Sequence, residues 1–151
     1  MSGCCSGAQR VTVEAGFYVQ DGETCERCGD TRAATRTAVA EAAGLLSPMG
    51  IVVELHEREL GRGEIARSNE VLVNGRPVEA WLGGSATEND CPSCADLLGE
   101  PTCCRAVEID GVVSEALSRE AVTAAIMAAA GLAPAHPGRA AVTLVTGAGC
   151  G

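Results

Sequence analysis

Eight of the nine cysteines in this 151-residue chain fall in close pairs, a spacing that limits both what can hold the chain together and what it can do. Two are CxxC motifs, Cys25-Glu-Arg-Cys28 and Cys91-Pro-Ser-Cys94. Two are vicinal, Cys4-Cys5 and Cys103-Cys104, and Cys150 stands alone near the end. A disulfide stabilises mainly by closing a long loop in the unfolded chain, so cysteines this close in sequence make poor staples. They suit soft-metal binding or thiol exchange better.

Composition narrows the field further. Residues are 46% hydrophobic but only 2% aromatic (Phe17, Tyr18, Trp81), so one ordinary core must be built from Val, Leu, Ile and Ala. Stacking platforms for single-stranded nucleic acid are nearly absent. A net charge of -9 also disfavours nucleic acid. No stretch approaches the ~20 apolar residues of a membrane span. The N-terminus has neither the basic and apolar regions of a signal peptide nor a Gly directly after Met1 for myristoylation. The expectation is a cytoplasmic protein without membrane or nucleic-acid partners, in a compartment where thiols stay reduced.

The pattern along the chain predicts a cysteine-bearing arm over residues 1–9, one domain over 10–132, and a linker with an extra strand and the Cys150 tail over 133–151. Residues 11–19 (VTVEAGFYV) read as a strand closed by a turn at Asp21-Gly22. A helix follows from about Cys25 to Leu46, with Ala33, Val39, Ala42, Ala43 and Leu46 on one face. Residues 51–55 read as a short buried strand, parallel to the first because a helix separates them. Residues 61–67 can hold a helical turn. Asn74-Gly75, the dipeptide suited to positive φ at both turn positions, predicts a hairpin between 70–74 and 77–82. Residues 83–90 read as a polar loop, Pro92 to Leu98 as a short helix, and 104–109 with 112–113 as a hairpin about Asp110-Gly111. Ser118 caps a helix running to Ala130, with Gly131 at its exit. In this order the elements give an α/β chain of thioredoxin-like fold, a mixed central sheet flanked by helices with cysteine-bearing tails at both ends. The fold alone assigns no function.

Three collinear stretches, residues 24–30 (TCERCGD), 68–75 (SNEVLVNG) and 88–99 (ENDCPSCADLLG) with Cys104-Arg105 after them, resemble the thioredoxin-like family known as domain of unknown function 2703, over roughly residues 10 to 132. The resemblance implies the fold and the layout of Cys25, Cys28, Cys91, Cys94 and Cys104. Cys4, Cys5, Cys103 and Cys150 lie outside the family pattern. In layout alone the chain is similar to the arsenic metallochaperone of bacterial arsenic operons. Thioredoxins place a cis-proline before the third strand, facing the CxxC. The matching stretch here, residues 66–70 (ARSNE), contains none, which argues against ordinary disulfide exchange and leaves room for a metal at the thiols.

A cysteine at a helix start lies near unsatisfied N–H groups and the positive end of the helix dipole, which favours the thiolate. Cys25 is therefore the candidate nucleophile and Cys28 its resolving partner, with Arg27 and Arg32 expected to assist and Glu26 and Asp30 to oppose. The two CxxC motifs are 63 residues apart, too far for a zinc ribbon, but folding can bring them together. Four thiolates from Cys25, Cys28, Cys91 and Cys94 would suit zinc or an iron–sulfur cluster. Two or three suit mercury, arsenic(III) or copper(I), and three drawn from Cys91, Cys94, Cys103 and Cys104 suit trigonal arsenic(III). Cys4, Cys5 and Cys150 are either incidental or mobile auxiliary ligands that pass ions inward.

Other polar residues carry less chemistry. His56 and His136 are expected to be solvated or packed, Trp81 to cover the core, Asp30, Asp90 and Asp96 to cap or solvate, and Arg105 to be a thiolate neighbour or a surface charge. No phosphate-cradling glycine motif or Ser/His/Asp set is present, so no nucleotide cofactor is expected. The preferred function is thiolate binding of a soft metal or metalloid (mercury, arsenic(III), copper or zinc) in detoxification or trafficking. The alternatives are a thiol–disulfide oxidoreductase or redox sensor using Cys25 and Cys28 with a thiol-exchange partner, and a zinc-stabilised interaction module.

Overall fold

The computed structural model describes residues 9–132. The arm and tail assigned above to 1–9 and 133–151 lie almost wholly outside these residues, including His136 and the extra strand.

Four strands form a mixed sheet in the order β2-β1-β3-β4, and three form an antiparallel sheet in the order β5-β6-β7. β1 (Gln9–Tyr18) alternates, with Val11, Val13, Ala15 and Phe17 buried on one face and Thr12, Glu14 and Gly16 on the other. It pairs in parallel with β2 (Ile51–Leu60) and antiparallel with β3 (Glu70–Val73), whose Val71 and Val73 join the same buried face. Helices α1 (Glu26–Leu46) and α4 (Arg119–Ala129) pack against each other and on this sheet. The crossover through α1 explains the parallel pairing, since a short turn cannot reverse the chain twice.

Turn chemistry holds as read. Asp21-Gly22, Asn74-Gly75 and Asp110-Gly111 all have positive φ at both residues. The Ser118 hydroxyl accepts the Ala121 N–H at the start of α4, and Gly131 leaves it with a φ of 82°.

Four expectations are corrected. β2 runs to Leu60 rather than Leu55 and is not a buried strand; only Ile51 and Leu60 are buried, because β2 is the edge of its sheet and is extended by pairing with the whole of β1. The buried side of α1 is Thr31, Thr35, Ala38, Ala42 and Leu46, while Ala33 is exposed and Val39 and Ala43 are half-buried. Thr31 belongs there because its hydroxyl accepts the buried Leu117 N–H at 3.0 Å. After Asn74-Gly75 the returning strand β4 is only Arg76–Pro77. The chain then turns into α2 (Val78–Trp81), where the indole N–H of Trp81 donates to Val73 O at 2.9 Å. Residues 85–90 are not a loop but strand β5 (Ser85–Asp90), paired along its length with β6 (Cys103–Ile109). Gly84 admits this approach, since a Cβ there would collide with the Glu108 carbonyl oxygen. β7 (Val112–Ser114) completes the second sheet, and α3 (Pro92–Leu98) links β5 to β6.

Candidate metal centre

Three elements deliver five cysteines to one place. Cys25 is the N-cap of α1 and Cys28 lies in its first turn. Cys91 is the N-cap of α3 and Cys94 lies within it, and Cys104 is on β6. All five are free thiols, no more than 3% exposed, and part of the hydrophobic core. The Sγ atoms of Cys25, Cys91 and Cys94 lie within 4.8 Å of one another. Cys104 lies buried in the same core cluster, close enough to act on the titration of Cys25 and Cys94.

The two N-caps differ. The sulfur of Cys25 accepts the Cys28 N–H at 3.4 Å. Cys91 makes no side-chain capping bond, and Pro92 behind it has no N–H to offer. Hydrogen bonds from the Cys104, Cys28 and Cys94 thiols and from the Cys28 N–H hold Cys25 far below the usual thiol range, against burial, which acts the other way. The thiols that give those bonds are correspondingly pushed up. Cys104 is raised by its bonds to Cys25 and Cys94 and by burial. Cys28 is raised by its bond to Cys25 and by burial, with Ser68 acting against them. At Cys94 the bond from Cys104 lowers the value, but the bond to Cys25, burial and the neighbouring charges of Cys25 and Cys91 together push it up to about 12. Cys25 is thus the thiol of the cluster whose charged form its neighbours favour most, through S–H and N–H donors rather than through water.

Cys28 points elsewhere as well. Its Sγ lies 2.9 Å from Ser68 Oγ, which also accepts the Tyr18 N–H at 2.8 Å. Ser68, just before β3, thus stands against Cys28, and no cis peptide bond occurs among the described residues. The trio within 4.8 Å therefore takes Cys25 from the first CxxC and both cysteines of the second.

The arginines do not serve the thiolate, contrary to expectation. Arg27 is buried and donates to Asn89 Oδ1 at 2.7 Å, Asp90 O at 2.8 Å, Cys104 O at 3.2 Å and Arg105 O at 3.3 Å; it also pairs with Glu115 at 3.3 Å. It ties the start of α1 to the β5–β6 hairpin and so sets Cys25 against Cys104. Arg32 lies over the Phe17 ring and pairs with Glu57. Arg105 is neither a thiolate neighbour nor a surface charge: its side chain is buried against the carboxylate of Glu79, itself 2% exposed. Sequence reading missed this pair, and also missed Asn69, whose amide donates to Arg105 O at 3.2 Å and Glu115 O at 2.9 Å. Asn69 has a positive φ, which asparagine tolerates, but its contacts lie 36 and 46 residues away and left no local signal in the sequence.

The remaining candidates take no part in the cluster. Cys103 is half-buried, is not among the free thiols, and lies 3.7 Å from Asp90 Oδ1. His56 is exposed in β2, 3.4 Å from Glu54. Cys4, Cys5 and Cys150 lie outside the described residues.

Fold and site together define a cysteine-rich α/β protein with a buried thiol cluster able to hold a metal ion. The chain belongs to the family described as Domain of unknown function (DUF2703), whose model matches residues 11–126. A protein of Archaeoglobus fulgidus described as "Uncharacterized protein" is 39% identical over 117 residues, covering 75% of this chain and 82% of the relative. No solved structure matches the chain. Among the described residues no helix is long and apolar enough to cross a membrane.

Proposed function

We propose that this chain is a thioredoxin-like protein that binds a soft metal or metalloid ion through Cys25, Cys91, Cys94 and Cys104. The observation that carries the reading is the Cys25–Cys91–Cys94 trio, three buried sulfurs within 4.8 Å. Metal–sulfur bonds of about 2.3 Å place tetrahedral ligands about 3.8 Å apart and trigonal ones about 4.0 Å apart. A shift of about 1 Å or less therefore closes the trio around an ion. Thiolates select copper(I), zinc, mercury or arsenic(III) by softness. Detoxification or trafficking is the role that such a site suits in a cytoplasmic protein. Cys4, Cys5 and Cys150 are assigned auxiliary capture by thiolate exchange; Cys103, not among the free thiols, is not. The thioredoxin-like assignment is supported by a CxxC helix between two parallel strands and by the order β2-β1-β3-β4.

The test is native mass spectrometry of the untagged protein purified without oxygen, with arsenite, mercuric ion or zinc added in competing glutathione. Stoichiometric uptake, lost in a Cys91→Ser/Cys94→Ser variant, is expected. A protein that takes up none of these ions would end the metal reading.

Two further readings each have an observation in their favour. The depressed Cys25 thiol at the helix start suits a thiol–disulfide oxidoreductase in which Cys25 attacks and Cys28 resolves. Against it, both sulfurs are buried. A Cys28→Ser variant that traps a mixed disulfide at Cys25 would support it. The position of the cluster within the core suits a zinc-stabilised interaction module. In that case zinc would co-purify, and a chelator would unfold the protein.

A further inference from the structure

One residue of the cluster, Cys91, lines two surface clefts, and carboxylates stand beside it in both. A cleft of about 570 Å³ runs along α3 and the loop after it, with Asp90, Cys91, Asp96 and Glu100 in its wall and no basic side chain. A second cleft, of about 300 Å³, opens against Cys91 at the start of α1, lined by Glu26, Arg27, Asp30 and Glu115. Cys91 lines both clefts, whereas Cys25, Cys28, Cys94 and Cys104 line neither. Arg27 is already matched by Glu115. Among the described residues no cation pairs with Glu26, Asp30, Asp96 or Glu100. The Cys91 sulfur is also free of capping duty, unlike that of Cys25.

We propose that the ion reaches the cluster as a hydrated cation along these clefts, meets Cys91 first, and passes from it to Cys94 and Cys25. The inference rests on the thiolate-site reading above and adds the charge of the cargo and the order of contact. A cleft lined by one sign of charge raises the local concentration and on-rate of an oppositely charged ligand by roughly 10 to 1,000-fold. Neutral arsenous acid gains nothing from it, and an oxyanion is repelled. The route therefore favours zinc, mercury(II) or copper(I) over arsenic(III). Each step replaces a water on the ion by a sulfur, any proton carried by that sulfur passes to solvent, and no oxidation state changes.

The experiment is stopped-flow uptake of cadmium, whose thiolate complexes absorb in the ultraviolet, by the full reduced chain. The wild-type on-rate should fall about tenfold or more between roughly 10 mM and 300 mM salt. The variant Glu26→Gln/Asp30→Asn/Asp96→Asn/Glu100→Gln should bind as slowly at low salt as the wild type does at high salt, with the same cadmium bound per chain at the end. Cys91→Ser should slow uptake at either salt, and arsenous acid uptake should ignore salt. A salt-independent wild-type rate, or Cys91→Ser uptake as fast as wild type, would overturn the route while leaving the metal site standing. A wild-type chain that holds no cadmium at equilibrium would overturn the site and the route together.

Discussion

The two CxxC motifs share a spacing and little else. The first begins the 21-residue helix α1, where the Cys25 sulfur caps the helix and takes hydrogen bonds from neighbouring thiols. The second begins the seven-residue α3, where Pro92 removes one N–H and Cys91 caps nothing. One motif therefore stabilises negative charge on a capping sulfur, and the other leaves its first cysteine without a capping bond and beside the clefts. The spacing of two cysteines does not set their chemistry. That is set by how each helix start satisfies its N–H groups and by what lies across from it.

Breaking the contrast most severely means removing what fixes the first motif. Arg27→Met should destabilise the protein by about 3 kcal/mol, because charge-assisted hydrogen bonds to the buried carbonyls of Cys104 and Arg105 and to the part-buried one of Asp90 are lost together. Denaturant unfolding should show a lower midpoint with an unchanged slope. A midpoint within experimental error of wild type would mean that α1 and the β5–β6 hairpin hold together without Arg27.

Ligand assignment sharpens the contrast next. Cys25→Ser should weaken metal binding by about 100-fold or more, close to 2.7 kcal/mol, whereas Cys28→Ser should weaken it by less than about tenfold. Competition against a chromogenic chelator measures both. Equal losses would place Cys28 in the ligand set beside Cys25.

Ser68→Ala acts on the same side of the comparison and should cost about 1 to 2 kcal/mol, because the buried Tyr18 N–H loses its acceptor. A Ser68→Thr variant should keep most of that stability in thermal unfolding. The smallest effect lies on the outer flank of α1, where Arg36 and Arg32 hold the Glu57 carboxyl below its usual range. A lowered folded-state value stabilises the fold above the unfolded carboxylate value, and this contribution fades as pH falls through the folded one. Glu57→Gln should thus cost about 0.5 to 1 kcal/mol at pH 7, with the gap to wild type closing below about pH 4. Unfolding curves at both pH values test it, and a gap that persisted in acid would place its origin outside the ion pairs.

Much of the fold was legible wherever the signal was local. Asn74-Gly75 and Asp110-Gly111 announce their turns because few other residues accept positive φ twice, and Ser118 with Gly131 brackets α4. What stayed hidden depends on distant pairing. Residues 85–90 (SATEND) contain nothing that marks a strand, and become one by pairing with β6. Thr31 on the buried side of α1 is explained only by the Leu117 N–H, 86 residues away. The cysteines of the site could be named from sequence, but the partners of Cys25 could not. They follow from the register that sets Asn89 opposite Cys104 and from the grip of Arg27 on both strands.

The thiol cluster occupies space that in most domains of this size would hold leucine and valine. Under the proposed function, a bound ion raises folding stability by RT ln(1 + [ion]/Kd), about 2.7 kcal/mol at one hundred times Kd. Cellular proteases act on transiently opened chains, so ion supply would set how long each molecule survives. Abundance would then follow the ion with no change in synthesis, and a pulse-chase of the chain in ion-depleted cells should show faster decay than in replete ones.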